Sequence, residues 1–231
     1  MVHGAGTSVA ESRASVPASG LPPGIAKPGY RCRLIRYTVA VTAQIVIDGE
    51  SGLVRGARQV ASPNQDERPA GCLPELIVVH GISLPAGEFG GPWIDALFTS
   101  DLDPAAHPSF ADLAPLRVSA HLLVRRDGEL VQYVPLHRRA WHAGQSSHCG
   151  RERCNDFSIG IELEGADEMP YAAVQYEVLA RLVAALRQAM PSLRRAPVVG
   201  HSDIAPGRKT DPGSAFDWGR LAGLLERAGR G

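Results

Sequence analysis

Residues 76–80 read LIVVH, a continuous apolar run that stops at a histidine. A run this short, bounded by polar residues, fits a buried strand. A buried strand commits the chain to a sheet that other elements must cover. Covering elements are present in the sequence. Between 172 and 190 the apolar residues fall at 172, 176, 179, 182, 183, 186 and 190, one stripe of a helix facing a core. A last helix suits 217–228, with Asp217 as its N-cap. Further strands are predicted at 118–126 and 130–134, a hairpin around Asp127-Gly128, at 157–164 (FSIGIELE) and at 197–199. An insert over 83–116 is rich in Gly and Pro, with one short helical stretch near 93–98. Its length suggests a functional loop or lid. Strands and helices intermix around one hairpin, so the predicted fold is α/β, a single-domain mixed β-sheet flanked by helices.

The first thirty or so of the 231 residues are Gly, Ala, Ser and Pro with few large apolar groups. They cannot bury enough surface to offset ordering entropy. The predicted organisation is therefore a disordered extension over 1–44 and one domain over 45–231. The stretch 31–47 (RCRLIRYTVAVTAQIVI) pairs basic residues with a short apolar run and reads as a strand or a tether. It starts too far into the chain for an ordinary signal peptide. No run of about 18 apolar residues exists to span a membrane, so a cytoplasmic protein is expected. Lys plus Arg equals Asp plus Glu, 24 each, which gives no electrostatic case for nucleic acid or an acidic membrane as partner. The four cysteines, Cys32, Cys72, Cys149 and Cys154, form no C-x-x-C pair and read as reduced thiols.

Candidate chemistry collects where strands end. His80 closes the first predicted strand, Glu162 and Glu164 end the middle one, and the last runs into GHSDIAPGRKTDPG (200–213). That loop carries His201, Lys209 and Asp211, and its Pro and Gly residues look too dense for a helix. Two imidazoles and a carboxylate match a catalytic zinc ligand set with a fourth position left for water. A nearby carboxylate can move the proton, and a lysine can hold an oxyanion. His80, His201, Asp211, Glu162 and Lys209 supply one of each part. Residue types alone leave this open. Glu162 and Glu164 share a strand face, so spacing does not choose between them. His3, His107, His121, His137, His142 and His148 compete as ligands.

Five segments, VVHGISLP (78–85), SAHLLV (119–124), RAWHAG (139–144), RERCNDFSIGIELEG (151–165) and the 200–213 loop, occur together in this order. In this the chain resembles the cytosolic 1,6-anhydro-N-acetylmuramyl-L-alanine amidases of Gram-negative bacteria, the AmpD type. These belong to the zinc amidase family that also includes peptidoglycan-recognition domains. The resemblance runs from about residue 45 to 218. It implies a Zn²⁺ held by His80, His201 and Asp211, Glu162 rather than Glu164 as catalytic acid/base, and Lys209 at the oxyanion. It also implies Trp141 in a sugar groove, with Arg117 and Arg153 on stem-peptide carboxylates. Gly81 and Ser109 depart from the family, which usually has Asn at the first position and an aromatic residue at the second.

The implied reaction is hydrolysis of the amide between (1,6-anhydro-)N-acetylmuramic acid and L-alanine in peptidoglycan recycling. The implied partner is an anhydro-muropeptide, taken by a monomer that inserts in no membrane. An envelope amidase acting on intact murein, and a non-catalytic muropeptide-binding module, are the rival readings.

Overall fold

The computed structural model describes residues 44–228. The predicted extension, apart from Gln44, lies outside the described residues. So does 31–43 of the basic and apolar stretch. The end of that stretch does form a strand. Val46–Ile47 pairs antiparallel with Val54–Arg55, and Ile45 and Ile47 pack against the main core.

Six strands make the central sheet: β1 (Arg58–Gln59), β2 (Leu76–Ile82), β3 (Leu122–Val124), β4 (Leu130–Gln132), β5 (Ser158–Glu164) and β6 (Val198–Gly200). Their spatial order is β6-β2-β5-β3-β4-β1. β3 and β4 are antiparallel and every other neighbouring pair is parallel, so the sheet is mixed as predicted. The described helices are α1 (Trp93–Thr99), α2 (Ala173–Ala189), α3 (His201–Ile204) and α4 (Trp218–Ala228), besides short 3-10 turns.

Alternation along the strands sorts the two faces. Ile77 and Val79 of β2, Leu122 and Val124 of β3, and Ile159, Ile161 and Leu163 of β5 share one core. Tyr176, Leu179, Leu182, Val183 and Leu186 of α2 close it, with Leu221 of α4. This is the stripe read from the sequence. Each large side chain buried there is worth roughly 1.5–3 kcal/mol before ordering costs. The opposite face has two smaller cores. Leu76 and Val78 meet Ala143, Cys154, Phe157 and Ile204. Leu123 and Val131 meet Ile94, Leu97 and Phe98 of α1. The middle of the insert is thus part of the packed body rather than a free lid.

Two local expectations change. The hairpin strands are shorter than predicted, because the Ser119 amide turns to the Trp141 carbonyl and the His121 amide to Gly160. The 200–213 loop begins with a helical turn, α3, which ends before Pro206. Asp203 accepts the Gly200 amide at 2.7 Å and closes the start of that turn. Asp217 caps α4 as expected, its Oδ1 accepting from Arg220 N at 2.8 Å. Cys72, Cys149 and Cys154 are free thiols. Among the described residues no helix is long and apolar enough to cross a membrane.

Candidate active site

Register assembles the site. Glu162 of β5 lies directly opposite His80 of β2, and Gly200 at the end of β6 lies opposite Val79. His201 therefore emerges beside His80. Three neighbouring parallel strands deliver His80, Glu162 and His201 toward their carboxyl ends, where sites in such sheets collect. The loop after α3 returns Asp211 to the same place. Its backbone is held by Ser202 N donating to the Asp211 carbonyl at 3.0 Å, and by the Tyr171 hydroxyl donating to the Pro212 carbonyl at 2.9 Å.

His80 Nδ1 and His201 Nδ1 are 3.0 Å apart. Asp211 Oδ2 lies 3.2 Å from the first and 3.1 Å from the second. Four ligands about 2.1 Å from a tetrahedral Zn²⁺ sit about 3.4 Å from one another. The three atoms are therefore spaced nearly as such an ion requires. Their charge states agree. Burial pushes His80 down to about 4, against the pull of the adjacent Asp211 carboxylate, so the imidazole is neutral at neutral pH. Burial opposes ionisation of Asp211, but its close contacts with the His201 and His80 imidazoles outweigh it and hold the carboxyl well below the usual range. Two imidazoles and one carboxylate converging in this way can hold a metal ion.

Glu162 is the carboxylate beside them. It is 8% exposed, and its Oε2 is buried without a hydrogen-bond partner. Burial first, then the Asp211 charge, raises its pKa well above the ordinary value, and Lys209 offsets part of the rise. Lys209 is exposed and its charge also acts on His80. Among the described residues its ammonium makes no hydrogen bond or ion pair.

The other predicted residues stand apart. Trp141, next to His142, donates from Nε1 to Asp66 Oδ1 at 3.1 Å. Arg117 is exposed and reaches the carbonyls of Ala114, Pro115 and Leu116 at 3.4–3.5 Å. Arg153 is exposed, with Nε 3.3 Å from Asp156 Oδ2. No hydrogen bond or ion pair joins Arg117 or Arg153 to the three converging residues or to Glu162. At Gly81 a Cβ would fall 2.2 Å from the Tyr171 hydroxyl, so a side chain there requires Tyr171 to move. Ser109 is exposed and bonds locally to His107 Nδ1.

His142, left among the competing histidines by sequence reasoning, touches His80, one of the three converging residues. Its Nδ1 lies 2.9 Å from His80 Nε2. Its place in RAWHAG beside Trp141 was the available signal, but nothing in the spacing tied it to His80, 62 residues earlier.

Comparisons with known proteins show the family of the chain. The family described as N-acetylmuramoyl-L-alanine amidase matches residues 70–214. The 1,6-anhydro-N-acetylmuramyl-L-alanine amidase AmpD of Escherichia coli K12 is 61% identical over 178 residues, 77% of this chain and 97% of that protein. The AmpD of Haemophilus influenzae is 49% identical over 173 residues, 75% of this chain and 94% of that one. The crystal structure of a selenomethionine AmpD derivative superposes with a TM-score of 0.75 at 58% identity, covering 78% of this chain and 99% of its own. Both the sheet that places His80, Glu162 and His201 and the sequence that builds it are shared at this level, and the chain belongs to the N-acetylmuramoyl-L-alanine amidase family, within its AmpD group.

Proposed function

We propose that residues 45–231 are the catalytic domain of a zinc-dependent amidase. It hydrolyses the bond between the lactyl group of N-acetylmuramic acid, in its 1,6-anhydro form, and L-alanine of the stem peptide. The observation that carries this is the pairing of three converging ligand atoms with a buried, unpartnered Glu162 oxygen on the adjoining strand. A chain 61% identical to an enzyme named for that substrate supports the choice of bond.

His80, His201 and Asp211 would hold Zn²⁺. Bound there, the ion supplies Lewis-acid polarisation and lowers the pKa of water at its open position to about 7. Glu162 takes a proton from the attacking water, whose oxygen adds to the lactyl carbonyl carbon. Its raised pKa suits it to give that proton to the L-alanine nitrogen as the C–N bond breaks. Lys209, whose ammonium makes no hydrogen bond or ion pair among the described residues, would hold the developing oxyanion. Trp141 would line the sugar groove. The exposed guanidiniums of Arg117 and Arg153 would take stem-peptide carboxylates in bidentate pairs. We place the enzyme in the cytoplasm as a monomer serving peptidoglycan recycling.

Mass spectrometry of products from an anhydro-muropeptide and from intact murein, with and without chelator, tests the reading. Release of free anhydro-sugar and an alanine-terminated peptide is expected, abolished by chelator and restored by zinc. Equal turnover with chelator present would overturn the metal assignment. Preference for intact murein would favour the envelope reading.

A further inference from the structure

Each candidate histidine ligand turns Nδ1 inward and rests its outer nitrogen on one of two consecutive residues. His80 Nε2 lies 2.9 Å from His142 Nδ1, and His201 Nε2 lies 3.3 Å from the Ala143 carbonyl. The protons can be placed from the far end of this chain of contacts. Ser158 Oγ gives its one hydrogen to the Cys154 carbonyl at 2.6 Å. Toward His142 Nε2, 3.1 Å away, it can therefore only accept. His142 carries its hydrogen on Nε2 and offers Nδ1 as an acceptor. His80 then donates from Nε2, and its Nδ1 keeps a bare lone pair. The Ala143 carbonyl, which also accepts from Arg208 Nη2 at 2.7 Å, is only an acceptor and favours the same tautomer on His201. Two lone pairs 3.0 Å apart and a carboxylate oxygen are left facing one point with no hydrogen between them. That arrangement suits a cation.

The dipeptide is itself pinned. Asn155 Oδ1 accepts the amides of both His142, at 3.1 Å, and Ala143, at 2.8 Å. Gly160 of β5 leaves room for the His142 ring, since a Cβ there would lie 2.5 Å from it. We propose that His142 and Asn155 are positioning residues for the metal. Through the His142–Ala143 segment they hold both histidine ligands in the tautomer and orientation that bind it. Outer partners of this kind orient the ligands of metal sites generally. The inference rests on the reading of His80, His201 and Asp211 as a metal site.

The test uses the full chain stripped of metal. Zinc affinity is measured by competition with a chromophoric chelator, and ring-¹⁵N spectra of the metal-free protein report the His80 tautomer. His142→Phe keeps a ring against Gly160 but removes the acceptor. Affinity should fall about 10- to 100-fold, and His80 should lose its Nε2–H preference. His142→Asn, whose Oδ1 can accept in place of Nδ1, should recover most of both. Asn155→Ala, which alters neither ring, should weaken zinc binding, and Asn155→Asp, which keeps the acceptor oxygen, should restore it. If His142→Phe does not fold, the Asn155 pair carries the same test. A wild-type chain that takes up no zinc overturns the site reading and this inference with it. Zinc uptake by the wild type, with unchanged affinity and His80 tautomer in the folded variants, overturns the inference alone. An affinity loss that neither Asn at 142 nor Asp at 155 rescues would assign both residues to packing, and also overturns it.

Discussion

Glu164 ends β5 with both carboxylate oxygens engaged. Oε1 accepts from Gly90 N at 2.7 Å and from Arg125 Nη1 at 3.2 Å, and Oε2 accepts from Arg126 N at 3.2 Å. Two residues earlier, on the same face of the same strand, Glu162 is also buried but has an oxygen with no partner. Burying a carboxylate without partners is costly, and natural folds seldom leave one so. Glu164 ties the insert and the hairpin turn to the strand end. The neighbours of Glu162 are two histidines and an aspartate aimed at one point. The contrast separates a carboxylate that holds the fold from the one we propose is held ready for chemistry.

The sharpest way to break that contrast is to neutralise each carboxylate in turn. Glu162→Gln should keep fold and zinc uptake while turnover falls about 10²- to 10⁴-fold, the usual worth of a general acid/base. A Glu162→Gln enzyme at wild-type turnover would sink the assignment. Lys209→Met should cost about 10²- to 10³-fold in kcat, the range for removing one oxyanion donor. Its melting temperature should stay put, because Lys209 is exposed. A drop in melting temperature instead would make Lys209 a structural residue.

Glu164→Ala should show the converse pattern. It removes one partner of the buried Arg125 guanidinium, which keeps Asp95 and Glu129, and leaves two amides without an acceptor. A loss on the order of 3 kcal/mol in urea unfolding is expected, with kcat in the folded fraction largely retained. If Glu164→Ala instead abolished turnover in a fully stable protein, the division between the two carboxylates would be misdrawn.

Much of this was legible in the sequence, for physical reasons that also mark where it stopped. LIVVH and FSIGIELE are apolar enough to declare buried strands, and the stripe on α2 is regular enough to declare a core-facing helix. The ends of those elements pointed to His80, Glu162 or Glu164, and His201. Period-2 alternation puts both glutamates on one face, so only register and partners, which are tertiary facts, distinguish them. The turn at α3 was missed because of the Pro and Gly residues in 200–213, yet apart from Gly200 they all lie after Ile204. Asp203, which had no assigned role, supplies the acceptor for the Gly200 amide at its start. The His142 contact joins residues far apart in the chain, and no local pattern encodes it.

The smallest effect concerns stability against pH, and it also separates the two kinds of carboxylate. Burial, with the Asp211 charge, raises Glu162 well above its ordinary value of 4.5. Below that ordinary value the side chain is protonated in both the folded and the unfolded chain. Between it and the raised folded value, the native state holds a proton that the unfolded chain has released. Unfolding free energy therefore falls as pH rises through this window. Glu162→Gln has no such proton to lose. Without metal, Glu162→Gln should be more stable than the wild type at pH 7. The gap should close as pH is lowered toward 4.5. Paired urea titrations of the two metal-free proteins across this range measure it. A gap that widens on acidification would reverse the sign of the shift and remove the electrostatic case for Glu162 as the proton carrier.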